Sequence, residues 1–315
     1  MALATSTRHL LALRDMPLDR MLGLFETARA CMPVVTGDAA PRSDLAGKII
    51  ANVFLENSTR TRCSFTAAAH RLGATTIDLL GGTSSASKGE TLLDTCANVA
   101  AMGVDGLVIR CSDTCGPAAV AGALGLPVLN AGDGKHEHPT QGLLDAFTIT
   151  EHLGRTDLAG LRVGICGDVA TSRVARSNVF ALTRLGADVT LMGPPTLAPD
   201  DMATLIDGLD MPGTVRVVHE FDPHLEQFNV LMVLRIQFER HGGGGVPDDY
   251  RLHWGLTADR AEHLPEDAIV MHPGPVNRGT ELDDAVCDGP RSLILQQVTG
   301  GVAVRMASLL DCLGG

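Results

Sequence analysis

No run of basic residues occurs in this sequence, and its 25 Lys and Arg face 37 Asp and Glu, for a formal net charge of −12. That balance argues against a nucleic-acid-binding surface, because phosphates are neutralised by clustered cations. Any anion site must be a local group of cations within an acidic shell. No C-x-x-C pair occurs among the eight cysteines (Cys31, Cys63, Cys96, Cys111, Cys115, Cys166, Cys287, Cys312), which are scattered through apolar segments. Zinc frameworks and disulfides are disfavoured by that pattern, and buried, reduced thiols of a cytosolic enzyme are expected. Met1 to Asp15 lacks a basic region followed by an apolar core, so no signal peptide is expected. The long charge-free stretch from Thr114 to Gly132 contains Pro117, Pro127 and several glycines. It reads as helix, turn and strand instead of a membrane span. There is no internal repeat, and no low-complexity tract beyond Gly242 to Gly245. A soluble, cytoplasmic protein follows.

What is present is a chain of 315 residues, 45% of them hydrophobic, too long for one ordinary core and suited to two α/β domains. Asp15-Met16-Pro17 reads as a helix start, with Leu18, Leu22 and Phe25 spaced to form one apolar face. Strands are predicted at Ile49–Phe54, Thr75–Leu80, Gly106–Arg110 and Val128–Asn130, separated by helices. A long helix from about Thr140 to Leu153 follows. The alternation resumes at Arg162–Cys166, Asp188–Met192, Val215–Val218, Val230–Leu234 and Ala268–Met271, and Ser292 to Leu313 is again helical. Repeated β-α units predict two doubly wound parallel-sheet domains linked by helices, joined near residues 150 to 160.

In open parallel sheets ligands bind beyond the carboxyl ends of the strands. Cations and donors recur there: Arg60 and Arg62, Ser84 and Lys88, Arg110, Lys135 to His138, Arg173, Arg235 with Gln237, and His272. A substrate with several negative charges fits that edge. Ser58-Thr59-Arg60-Thr61-Arg62 stands where a strand turns into a helix. Helix-terminal amides, hydroxyls and a planar guanidinium suit a phosphate, while a plain Ser/Thr cap is the simpler alternative. Cys63, on that helix, reads as a packing residue. His138-Pro139-Thr140-Gln141 opens the next helix. There the histidine either donates to a ligand carbonyl, with Gln141 beside it, or caps its own helix. His136 and His138 have no third metal ligand at a sensible spacing, so no metal is expected. Gly164 and Gly167 are spaced G-x-x-G and not G-x-G-x-x-G, and no acidic residue ends the strand Asp188–Met192, so a nicotinamide fold is disfavoured. These glycines are expected to let the following helix pack closely on its strand.

Taken together, Ser-Thr-Arg-Thr-Arg after a strand, Ser84-x-x-x-Lys88-Gly89-Glu90, and His138-Pro139-Thr140-Gln141 resemble the aspartate/ornithine carbamoyltransferase family. Lys88-Gly89-Glu90-Thr91, Arg235-Ile236-Gln237-x-Glu239-Arg240 and His272-Pro273-Gly274-Pro275-Val276-Asn277-Arg278-Gly279 resemble its aspartate-using branch. The resemblance runs from about His9 to the C-terminal helix. The His-Cys-Leu-Pro signature of the ornithine-using members is absent.

The resemblance implies a carbamoyl phosphate domain of residues 1–150 with 292–315 and an aspartate domain of residues 151–291. It implies that Ser58, Thr59, Arg60, Thr61 and Arg110 hold the phosphate. Thr61, Arg110, His138 and Gln141 would surround the carbamoyl group, with Arg60, Thr61 and His138 catalytic. Arg173 and Arg235, with Gln237, would take the carboxylates of L-aspartate, and Lys88 would also bind aspartate. The backbone at Pro273 and Gly274 would meet the amino and carbamoyl groups, and Ser84 and Lys88 would enter the neighbouring subunit's site in a homotrimer. Domain closure would follow binding of carbamoyl phosphate. No cofactor, metal or covalent intermediate is implied. Gly274, where some regulated members carry leucine, resembles bacterial enzymes that are unregulated or partnered with dihydroorotase-like chains; a larger complex with such chains or with regulatory chains stays open. The glycine run after Arg235 suggests a loop that moves before aspartate binds. Two rivals remain: a carbamoyltransferase for another amino acid such as ornithine, and an inactive scaffold subunit. Intact Arg60, His138, Arg173 and Arg235 weigh against the second.

Overall fold

The computed structural model describes residues 8–81, 90–237 and 246–314. Ser84, Lys88 and the Gly242 to Gly245 run lie outside the described residues. The chain divides into two compact units, Met1–Leu144 with Thr299–Gly315, and Asp145–Val298. Both boundaries fall inside helices.

In the first unit, α1 (Leu18–Thr36) leads to β1 (Ile49–Phe54), α2 (Thr59–Arg71), β2 (Thr75–Leu80), α3 (Leu92–Ala101), β3 (Gly106–Cys111), α4 (Gly116–Ala123) and β4 (Val128–Asp133). The helix α5 (Pro139–Leu153) follows, and its residues to Leu144 belong here. The four strands form one parallel sheet in the order β2-β1-β3-β4. Val53, Leu107, Ile109 and Val128 meet Val99, Val104 and Val120 in a closed core, each such burial being worth about 1.5–3 kcal/mol.

The helix α1 departs from its predicted face. Leu18 is 40% exposed, while Met21, Leu24, Phe25, Ala28 and Cys31 are buried. Leu18, Leu22 and Phe25 fit the helical period, but only Phe25 lies on the buried stripe. The i, i+3, i+4 rule leaves the choice between neighbouring stripes to what the sheet offers. At the start of α3, the Thr91 hydroxyl accepts from Asp94 N at 3.1 Å, a cap worth roughly 1 kcal/mol. Glu90 accepts from the Thr95 hydroxyl at 3.0 Å and from Asn98 at 2.8 Å, fastening the same turn.

The second unit continues with β5 (Arg162–Cys166), α6 (Arg173–Arg184), β6 (Asp188–Met192), β7 (Val215–Val218), β8 (Val230–Val233), α7 (Tyr250–Trp254), α8 (Ala258–Ala261), β9 (Ile269–Met271) and α9 (Asp284–Cys287). The helix α10 (Ile294–Leu313) then passes into the first unit at Thr299. The parallel order is β7-β6-β5-β8-β9. Short 3₁₀ turns, Asp200–Thr204 and Asp222–Gln227, stand where α-helices would complete the alternation around β7. Pro194, Pro195, Pro199, Pro212 and Pro223 crowd those links and remove the N–H donors a longer helix needs. The core gathers Met192, Phe228, Leu231, Val233, Ile236 and Val270, and Phe221 lies 6.1 Å from Trp254 between ring centres.

Gly164, within β5, and Gly167, directly after it, do something other than expected. A Cβ on Gly164 would meet Met192, Leu231 and Phe228, the first at 2.7 Å, and one on Gly167 would meet Leu234 at 3.0 Å. These neighbours belong to the flanking strands and loops, so the close approach is strand to strand and not helix to strand. The thiols also need a correction. Six are buried, but Cys63 and Cys115 are exposed. Burial pushes the thiols of Cys96, Cys111, Cys166 and Cys312 up to about 12, which keeps them protonated and inert.

Candidate functional site

Each sheet reverses its winding once, and a doubly wound sheet binds ligands at that reversal. In the first unit the reversal lies between β1 and β3. Phe54 and Arg110 are register partners there, and Leu55 N donates to Arg110 O at 2.9 Å. The loop leaving β1 therefore starts beside the end of β3. It leads to Ser58, the N-cap of α2, whose backbone is extended and whose hydroxyl makes no cap bond. The plain-cap reading thus fails at Ser58. Thr59 and Arg60 are exposed in the first turn and Thr61 is buried.

Arg62 has a different place. Its guanidinium pairs with Asp78, which also accepts from Asn52 at 2.8 Å. This second arginine of the motif ties α2 to β2. Arg110 donates to Ala131 O at 3.1 Å and lies 3.8 Å from the Glu56 carboxylate. Glu56, in the loop itself, was not singled out by sequence reasoning.

His138 directly precedes α5, is 3% exposed, and has Nε2 3.5 Å from the Thr61 hydroxyl. Thr61 comes from α2 and His138 from the loop after β4, 77 residues later. Gln141, in the first turn of α5, is buried beside it in sequence, with its N donating to His138 O at 2.9 Å. A helix terminus with open amides, hydroxyls at Ser58 and Thr61, arginines and a buried imidazole can hold an oxyanion and a carbonyl oxygen together.

In the second unit the reversal lies between β5 and β8. Cys166 and Val233 are register partners, and Leu234 N donates to Cys166 O at 2.7 Å. The loop after β5 is closed by Asp168, fully buried, which accepts from the Thr171 hydroxyl at 2.6 Å. Ser172 caps α6 by accepting from Ala175 N at 3.1 Å. That cap sets Arg173 in the first helical position, 4% exposed. Arg235 and Gln237, both half-buried, follow β8 directly. Two guanidiniums at one sheet reversal are suited to a ligand with two carboxylates.

The segment after β9 belongs to the same sheet edge. Gly274 N donates to His272 Nδ1 at 2.8 Å, and Gly274 takes φ +68°, a conformation glycine adopts at least cost. His272 is held from behind: its N donates to Gln297 at 3.0 Å, and its Nε2 lies 3.3 Å from Glu281. Gln297 in turn donates to Asp145 at 2.7 Å. Sequence reasoning missed Asp145, Gln297 and Glu281. With a sequence separation of 152 from Asp145 to Gln297, no local pattern could have joined them.

Comparison with known proteins agrees with this layout. Residues 8–151 match the family model described as the aspartate/ornithine carbamoyltransferase carbamoyl-P binding domain, and residues 159–312 match the family's Asp/Orn binding domain. The aspartate carbamoyltransferase catalytic subunit of Opitutus terrae is 47% identical over 310 residues, covering 98% of this chain and 96% of that protein. Aspartate transcarbamoylase from Trypanosoma cruzi, solved with carbamoyl phosphate and aspartate, superposes with a TM-score of 0.87 at 29% identity, covering 98% of this chain and 97% of that one. Ornithine carbamoyltransferase from Pyrococcus furiosus gives a TM-score of 0.86 at 28% identity, covering 100% and 99%. No described helix is long and apolar enough to cross a membrane. With both of its units matched by that family's two domain models, the chain belongs to the aspartate/ornithine carbamoyltransferase family.

Proposed function

We propose that this chain transfers the carbamoyl group of carbamoyl phosphate to the α-amine of L-aspartate, giving N-carbamoyl-L-aspartate and phosphate, in de novo pyrimidine biosynthesis in the cytoplasm. The observation that carries the reading is the placement of Arg60 and Arg110 at one sheet reversal and Arg173 and Arg235 at the other. The two similar solved folds do not choose the acceptor, since their TM-scores differ by little. Acceptor choice rests on the 47% identity to an aspartate enzyme and on the Arg235-Ile236-Gln237 sequence. Radiolabelled carbamoyl phosphate offered with aspartate or with ornithine tests it. Product with ornithine alone overturns the assignment.

In the reaction the neutral amine attacks the carbamoyl carbon, and negative charge develops on the carbonyl oxygen. His138 and Thr61 donate toward that oxygen, while Arg60 and Arg110 stabilise both it and the phosphate. The carbon–oxygen bond to phosphate then breaks, and the leaving phosphate takes the amine proton. Ser58, Thr59 and the amides at the start of α2 hold the phosphate, and Gln141 orients the carbamoyl nitrogen. Arg62 has no part in this, being committed to Asp78. Arg173, Arg235 and Gln237 bind the carboxylates of aspartate, with the backbone at Pro273 and Gly274 near its amine. Concentrated cations offset the repulsion between two anionic substrates, which is where much of the acceleration arises.

Arg235→Ala is expected to raise KM for aspartate about 10- to 100-fold, the loss of a charge-assisted hydrogen bond of ~1.5–3 kcal/mol. Calorimetric affinity for carbamoyl phosphate should stay unchanged. If that affinity falls with the mutation, the two units are assigned the wrong way round.

The active form in this reading is a homotrimer, alone or with dihydroorotase-like or regulatory chains, in which Ser84 and Lys88 complete the neighbouring subunit's site. Lys88→Ala and Arg60→Ala chains should each be nearly inactive. Mixed into one cyclic trimer, about one site in three regains both residues, so activity should return to roughly a third of wild type at most. Hybrids confirmed by native mass spectrometry that stay inactive would place Lys88 in its own subunit's site.

A further inference from the structure

We infer a second site in the first unit, for a zinc-class divalent cation, formed by Cys115, Asp133 and His136. One ligand atom from each of these residues lies within 4.8 Å of the others. The histidine pair that failed as a sequence motif resolves here. His138 turns to Thr61, whereas His136 turns to Asp133, and the missing third ligand arrives from the start of α4, 18 residues before Asp133.

The carboxylate is already oriented. Asp133 is 1% exposed, and its Oδ1 accepts from Asn130 Nδ2 at 2.9 Å and Glu137 N at 3.0 Å. Its Oδ2 accepts from Cys115 N at 2.8 Å and lies 3.0 Å from His136 Nδ1. Outer hydrogen bonds of this kind hold a ligating carboxylate in place. Around a tetrahedral ion with nitrogen and oxygen ligands at ~2.0–2.1 Å, neighbouring donors stand about 3.3 Å apart. The spacing of Nδ1 and Oδ2 is therefore close to that of two ligands of one ion, which would replace the proton now between them.

Cys115 adds two independent observations. It has φ +61°, the one non-glycine residue with positive φ among the described residues, a conformation that needs support from its surroundings. It is also exposed, and His136 is half-buried, so an ion can enter and water can take the fourth position. Thiolate, imidazole and carboxylate together favour zinc over magnesium or calcium, which prefer all-oxygen sets. Binding releases the thiol proton to solvent, and the proton displaced from His136 Nδ1 passes through solvent to Nε2, so that the ligating ring is neutral. The ion would join the loop after β3, just beyond Arg110, to the loop after β4 that leads to His138. It would fasten two loops of the carbamoyl half without touching the reacting atoms.

The test is titration of the metal-stripped full-length chain with Zn²⁺ by calorimetry, repeated with Co²⁺ by absorbance. One equivalent should bind, with a thiolate-to-cobalt charge-transfer band and a higher melting temperature in its presence. Cys115→Ser should abolish the band and weaken binding at least tenfold. His136→Asn should weaken binding about 10- to 100-fold, and Cys63→Ser, which alters the other exposed thiol, should change neither. Metal-free melting curves check that the variants fold. Absence of binding, or binding equal in wild type, Cys115→Ser and His136→Asn, overturns the proposal, as does loss of the band in Cys63→Ser.

Discussion

Arg60→Ala is expected to lower kcat by about 10²- to 10³-fold while leaving the protein folded. Removing one preorganised donor to developing negative charge costs ~2.7–4 kcal/mol of transition-state stabilisation, and Arg60 is the motif's arginine at the very start of α2. Structural damage should be small. The side chain is exposed, and α2 is anchored by the buried Phe65, Ala68 and Ala69. An exposed substitution of this kind changes stability by about 0.5 kcal/mol or less. The measurement pairs steady-state kinetics with a thermal melt. Turnover within a few-fold of wild type, in a protein that melts normally, would remove Arg60 from the mechanism and with it the phosphate reading of the whole motif.

Asp145→Ala should strongly destabilise the second unit. Asp145 is fully buried, and its two oxygens accept from Asn178 and Gln297, each at 2.7 Å. The same Gln297 accepts from His272 N, and His272 Nδ1 accepts from Gly274 N. Alanine removes a charged acceptor and strands buried amide donors, a loss of roughly 3–5 kcal/mol. For a unit of this size that is about 6–20 °C in melting temperature. The damage also reaches function, because the network positions Gly274. A raised KM for aspartate should accompany the lowered melting temperature, with carbamoyl phosphate affinity held. Calorimetry showing a shift of only 1–2 °C would mean that the carboxylate carries little of this network.

Secondary structure was legible in the sequence because its signals are short. Runs of three to six mostly apolar residues bounded by glycine, proline or polar residues became β1 to β9, with ends displaced by at most a few positions. Val128–Asn130, for example, extends to Asp133. The Ser-Thr-Arg-Thr-Arg and His-Pro-Thr-Gln motifs were legible for the same reason. A helix start is a local event, and its open amides are implied wherever a strand turns into a helix. Repeated β-α units then imply parallel sheets, and parallel sheets imply which edge carries the ligands.

Tertiary structure decided everything that depends on a partner distant in the chain. Arg60 and Arg62 are equivalent in sequence; only the pairing of β1 with β2 brings Asp78 to Arg62. The stripe of α1 that is buried, and the side chains that fill the space above Gly164, follow from neighbours that periodicity does not name. His136 and His138 stand two residues apart, yet they point to Asp133 and Thr61. Cys115 joins Asp133 because β3 and β4 are register partners, Cys111 opposite Asp133. A sequence determines its elements through contacts a few residues long, whereas charge pairing and ligand geometry depend on the register of whole strands, which is set only when the sheets close around their cores.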